Sequence, residues 1–157
     1  MRVGITGHRG LPPAVANQVR TLLRDHAATY DARHLVAVSC IADGPDTWWA
    51  KEVLSAGGRI EVVVPAAEYR DGLPEWHHPD YDDLMKRASD IHTTGLDKST
   101  SEAHQAGSEI LVGLCDRLIA VWDGLPARGY GGTADVVSYA EQVGVPVTVL
   151  WPDWAVR

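Results

Sequence analysis

The sequence predicts an α/β fold: one domain on a mainly parallel sheet with right-handed crossovers. Three observations carry this. Short apolar runs alternate with amphipathic segments in the order β-α-β-α-β over residues 2–65. The run "RLIAVWD" (117–123) is almost continuously apolar, as expected of a central strand covered on both faces. Glycine-bearing loops leave three of the strands, at 6–10, 39–46 and 122–132.

The elements follow in order. "RVGIT" (2–6) is a short strand ending at glycine. Residues 12–30 place Val15, Val19, Leu22, His26 and Tyr30 at helical spacing. "HLVAVSC" (34–40) is the second strand. The helix over 44–58 has Pro45 in its first turn and Gly57 and Gly58 at its end. "RIEVVVP" (59–65) is the third strand. Residues 66–90 are irregular, with a short helix near 80–88, and "IHTTG" (91–95) is a minor strand. Ser99 to Glu102 matches a capping box at the start of a helix running to about 114. After the 117–123 strand, a helix over 132–143 brings Val136, Val137, Ala140 and Val143 into phase, and "PVTVLWP" (146–152) is the last strand.

The chain of 157 residues has the usual size of one domain, and no linker or repeat divides it. Fourteen Lys and Arg against 21 Asp and Glu give a formal charge of −7, which argues against a broad nucleic-acid footprint. Cys40 and Cys115 lie in apolar stretches without metal or redox spacing, so buried, reduced thiols and a cytoplasmic setting are expected. The N-terminus reads as a strand from its second residue rather than a signal peptide, and no apolar run approaches a membrane span.

In a parallel sheet the three loops leave the same carboxyl edge, where ligands bind between strands whose helices diverge to opposite faces. In the first loop, Gly4, Gly7 and Gly10 are evenly spaced, which is neither the dinucleotide fingerprint nor a Walker loop. Gly7 allows close backbone approach, and Thr6, His8 and Arg9 offer donors to phosphate or ribose; the plainer reading is a tight turn with a solvated Arg9. The second loop supplies Ala42, Asp43, Gly44 and Asp46. Asp43 as a helix cap, with Asp46 answering from the first turn, accounts for both acids, while an anion site on the free amides leaves one acid for ribose. In the third loop Arg128, Gly129, Gly131, Gly132 and Thr133 precede a well-marked helix. Glycine brings main-chain N–H groups against an oxyanion, and the positive helix end favours an anion. This points to a phosphate cradle.

Other candidates have simpler explanations. His77 and His78, near Asp80, Asp82 and Asp83, lack metal spacing and read as a solvated loop. His104, Gln105 and Ser108 fall off the apolar face of their helix and read as solvent surface. Glu102 reads as the capping-box partner, or as a carboxylate facing a ligand.

"GITGHR", "SCIADGPD" and "DRLIAVWDGLPARGYGGTADVVSYAEQVGVPVTVLWP" resemble the SLOG superfamily, which includes the "lonely guy" phosphoribohydrolases and the Rossmann domain of DNA-processing protein A. The resemblance covers nearly the whole chain and is weakest at 66–98. It implies a three-layer, Rossmann-like, doubly wound sheet with a nucleotide site at the three loops, and a homo-oligomer. Aromatics around Trp48, Trp49 and Trp76 are candidate contributors to its contact, and burial in the core explains at least one of these tryptophans as easily. The phosphoribohydrolases carry P-G-G-x-G-T-x-x-E; here the threonine is Thr133 and the glutamate position falls on Val136. The expected function is therefore binding or sensing of a nucleotide or derivative such as AMP or ADP-ribose, with no cofactor required. The alternative is a phosphoribohydrolase releasing base from a nucleoside 5′-monophosphate, with Asp135 or Glu102 standing in for the missing acid. Single-stranded DNA is the least expected partner.

Overall fold

A computed structural model describes residues 1–126 and 132–155. Six parallel strands form one sheet in the order β4-β3-β2-β1-β5-β6. They are β1 (Arg2–Gly7), β2 (Val36–Ser39), β3 (Arg59–Val64), β4 (Asp90–Thr93), β5 (Arg117–Val121) and β6 (Val147–Val149). The helices are α1 (Pro13–Ala27), α2 (Pro45–Ser55), α3 (His78–Arg87), α4 (Ser101–Leu114) and α5 (Thr133–Gln142). The chain winds outward from β1 in one direction through β2, β3 and β4, then returns to add β5 and β6 on the other side. Right-handed crossovers therefore place α1 and α2 on one face and α4 and α5 on the other.

Every predicted strand and α-helix is present; β1 runs one residue further than expected, and the other strands are shorter. Residues 32–34 form a 3-10 turn, so β2 starts at Val36. All four residues of β2 are buried, as a strand between two neighbours and two helix layers requires. The buried face of α1 is Val15, Val19, Leu23 and Ala27, one position away from the expected Leu22 and His26. His26 instead sits on the flank, against Trp49 and Tyr30, where burial lowers its proton affinity.

Close packing explains two glycines of the evenly spaced trio. Gly4 lies mid-strand: a Cβ there would overlap Cys115 Sγ and come within 2.8 Å of Leu111, so its absence lets α4 lie against the sheet. A Cβ on Gly7 would come within 2.9 Å of Val121 and 3.1 Å of Pro45. Gly7 thus admits β5 and the start of α2. On the opposite face Trp49 is fully buried, and its Nε1–H donates to the Val3 carbonyl at 3.0 Å. Of the three tryptophans weighed between an outer contact and the core, Trp49 belongs to the core, Trp48 is half-buried and Trp76 is exposed. Among the described residues, no helix is long and apolar enough to cross a membrane.

Candidate functional site

The direction of winding reverses between β1 and β5, and the carboxyl ends of these two strands mark the crevice position at which open α/β sheets bind ligands. Gly7 pairs with Val121 in the last register position, and the His8 N–H donates to the Val121 carbonyl at 3.1 Å. The next residues bring two side chains together: His8 Nε2 lies 3.3 Å from Asp123 Oδ1, and both side chains are over nine-tenths buried. The Asp123 N–H points at the same Nε2 from 3.4 Å. A neutral imidazole protonated at Nδ1 accepts that bond; an imidazolium donates to the carboxylate instead. Asp123 Oδ1 also accepts from the Leu125 N–H at 3.0 Å, which fixes the start of the β5 loop. Trp151 meets the His8 ring edge-on at 5.7 Å and closes the β6 side.

The second loop joins from the β2 side. Gly44, at φ 95°, is the N-cap of α2, a backbone state that favours glycine, and it brings this loop against His8 and Arg9. Asp43 was expected to cap α2, but no side chain caps that helix. Asp43 instead accepts from Arg9 Nε at 2.9 Å, so Arg9, though still exposed, is tied to the second loop. Asp46 lies on the first turn of α2, half-buried, and accepts from the Ala42 N–H. Burial pushes its carboxyl up to about 7; the Ala42 N–H and Arg9 oppose the shift, while Asp43 adds to it. Thr6, at the end of β1, is half-buried beneath these groups.

The irregular segment holds the second loop in place. Ile41 has φ 47°, a strained state for a β-branched residue. Its N–H donates to Ser39 Oγ at 2.9 Å, and its carbonyl accepts from His77 Nε2 at 2.9 Å. Thr47 Oγ1 donates to the Ala42 carbonyl at 2.7 Å and lies 3.4 Å from His77 Nε2. His77 is 1% exposed, so the solvated-loop expectation is corrected: its ring pins the strained turn. His78 Nε2–H reaches the Arg70 carbonyl at 2.8 Å. Among the described residues, no group of three or more His, Cys, Asp or Glu is placed to hold a metal ion.

The start of α4 is also corrected. Thr100 is its N-cap, with Oγ1 accepting from the Ala103 N–H at 3.1 Å. Ser99 instead contacts His104 Nε2 at 2.7 Å, and His104 meets Tyr69 edge-on at 5.6 Å. Burial lowers the proton affinity of the His104 ring and Arg9's charge adds to this, while burial raises the Tyr69 hydroxyl against a smaller opposing effect of Arg9. Glu102 is exposed. Gln105, expected at the surface, is 7% exposed, and its Oε1 is buried without a hydrogen-bond partner among the described residues.

On the third loop, Gly132 is the N-cap of α5, and among the described residues no side chain caps this helix start, whose positive end favours an anion. Thr133 is buried as the first helical residue, and Asp135 follows in the first turn. Val136 is 2% exposed and packed in the core, so the acid of the phosphoribohydrolase motif has no counterpart there. Arg128, Gly129 and Gly131 lie outside the described residues. A separate groove of about 410 Å³ runs beside α2, with Arg20 over Trp48 at 4.5 Å and Trp76, and shares Asp43 and Gly44 with the crevice.

No protein-family model and no curated protein matches the sequence. Solved structures do match. DNA processing protein A from Streptococcus pneumoniae superposes with a TM-score of 0.69 at 21% identity, over 98% of this chain and 51% of that one. The Helicobacter pylori protein of the same name, described with a single-stranded DNA binding mode, gives 0.74 at 19% identity, over 98% and 66%. The Chlamydomonas reinhardtii Moco carrier protein gives 0.56 at 18% identity, over 95% and 75%. The chain has a Rossmann-like α/β fold of the kind these structures share. It spans about half to two thirds of the length of the two DNA processing proteins.

Two groups at this edge of the sheet escaped the sequence reading. Asp123 carried a signal, an acid directly after a central apolar strand. Gln105 carried none, because only the packing of α4 against α5 shows that its side of the helix is buried.

Proposed function

We propose that the chain binds a nucleotide or nucleotide derivative of the AMP or ADP-ribose kind in the crevice between β1 and β5. The observation that carries this reading is the buried His8–Asp123 pair at the point where the sheet's winding reverses. The groups around it suit the parts of such a ligand. The start of α5 at Gly132 and Thr133 takes the phosphate, and Arg9 adds positive charge. Asp46 and the His8–Asp123 pair offer partners to ribose hydroxyls. The similar folds, one a DNA-binding protein and one a carrier by name, support ligand binding by this architecture in general.

Asp46 favours a second reading. A carboxyl that titrates near 7 suits general acid–base work at neutral pH, and N-glycosidic cleavage needs a placed carboxylate. Base release is therefore measured alongside binding.

The test is a thermal-shift screen with AMP, ADP, ATP, ADP-ribose, NAD, ribose 5-phosphate and a single-stranded oligonucleotide, each mixture also assayed for free base. A ligand at a hundred times its Kd adds about 2.7 kcal/mol of stability. A shift without base release supports binding or sensing, and a shift with base release supports the hydrolase. A shift with the oligonucleotide alone, lost as salt rises, points to DNA instead. Self-association, which the SLOG resemblance implies, is read in the same samples by sedimentation.

A further inference from the structure

The register of the sheet fixes how high Gln105 sits. Gly4, Val38 and Glu61 lie side by side on β1, β2 and β3, so Gly7 and Val64 end their strands at one height, and Gly7 pairs with Val121. Helix α4 descends from this edge. Its Gly107 packs on Pro65, one residue beyond β3, and its Leu111 packs on Gly4 further down. Gln105, two residues before Gly107, stands about 3 Å higher. That is the height of His8 and Asp123, the residues that follow the ends of β1 and β5.

The helix's own geometry fixes which way Gln105 faces. Ala103, Gly107 and Leu111 form the face toward the sheet, while Gln105 and Val112, seven residues apart, are buried on a different side. The helix that α4 packs against is α5, which starts at the same edge with Gly132 and Thr133. Gln105 therefore stands between the two helix starts that flank the crevice, next to His104, whose proton affinity burial lowers and Arg9's charge lowers further. A buried amide oxygen there has no hydrogen-bond partner among the described residues.

We propose that Gln105 is the residue that reads the sugar of the ligand, by hydrogen bonding to a ribose hydroxyl. The assignment rests on the nucleotide reading above and names what that site discriminates. The unpartnered oxygen needs a donor. A phosphate oxygen only accepts, whereas a sugar hydroxyl both donates and accepts and so satisfies the amide in either orientation. A site built to bond a hydroxyl discriminates against the analogue lacking it, because its buried polar group is then left unpaired.

The test compares AMP with 2′-deoxy-AMP and 3′-deoxy-AMP by calorimetry, in the wild type and in Gln105→Met and Gln105→Leu. The wild type is expected to bind AMP at least tenfold more tightly than one of the deoxy forms. Both variants are expected to lose that preference while binding the disfavoured deoxy form, which lacks the hydroxyl in question, at least as well as before. Their ligand-free melting temperatures are expected to stay level or rise, since an unsatisfied amide has been replaced by an apolar chain. A wild-type preference that survives both substitutions overturns the assignment, as does an equal loss of affinity for all three ligands or the absence of any preference in the wild type. If the wild type binds none of the three, the nucleotide reading itself fails and this assignment falls with it.

Discussion

Two side chains carry most of the electrostatic and steric tension around the crevice. Asp46 titrates near 7 because burial outweighs the Ala42 N–H and Arg9. The unfolded chain ionises this group near 3.8, so between about pH 4 and pH 7 the folded state holds a proton that the unfolded state has released. Its contribution to stability is thus greatest at low pH and falls as pH rises through 7. Asp46→Asn should flatten this fall, by an amount on the order of a few kcal/mol at pH 8. Urea midpoints of both proteins between pH 4 and 8 measure it, and taking the difference cancels His26 and His104, which shift the other way. His77 is the second such residue. His77→Ala leaves the strained Ile41 carbonyl unpaired and opens a cavity, which should cost about 2–4 kcal/mol in chemical denaturation. His8 and Arg9 were legible from their place after the first strand. His77 was not, because nothing in "EWHHPD" reveals that the chain folds back to meet Ile41.

At the scale of elements, glycines and helix starts decide the geometry. Gly4→Ala would drive a methyl into Cys115 and Leu111 and push α4 off the sheet. A destabilisation of about 1–3 kcal/mol is expected, partly recovered by adding Cys115→Ala, as a double-mutant cycle would show. Gly132 lies in extended backbone, φ −77°, that any residue adopts, and it leaves α5 without a side-chain cap. Gly132→Asp should therefore raise stability by roughly 0.5 kcal/mol while placing a carboxylate where the phosphate belongs. Denaturation midpoints together with an AMP titration separate these two effects. Every helix and strand was readable in the sequence, because apolar periodicity is local and strong. The capping details were less legible. Ser99, Thr100 and Asp43 all suit a cap chemically, and the choice among them rests on contacts to His104 and Arg9 that local sequence does not encode.

For the whole molecule, the parallel order with its reversal beside β1 brings three loops to one edge, although they are far apart in sequence. That convergence was predictable from element order alone. The sequence did not reveal that the central pair of the crevice is His8 with Asp123, residues 115 positions apart. The surface keeps its acidic excess of −7, so a response to DNA should be weak and strongly salt-dependent if it occurs at all. The central claim is that a nucleotide sits at this reversal point. Its most direct test is a titration of the isotopically labelled 17.0 kDa chain with AMP, followed by amide chemical shifts. The account predicts saturable shifts concentrated at His8, Arg9, Asp123, Gly132 and Thr133. Shifts confined to the separate groove around Trp48 and Trp76, or none with AMP or ADP-ribose, would contradict it.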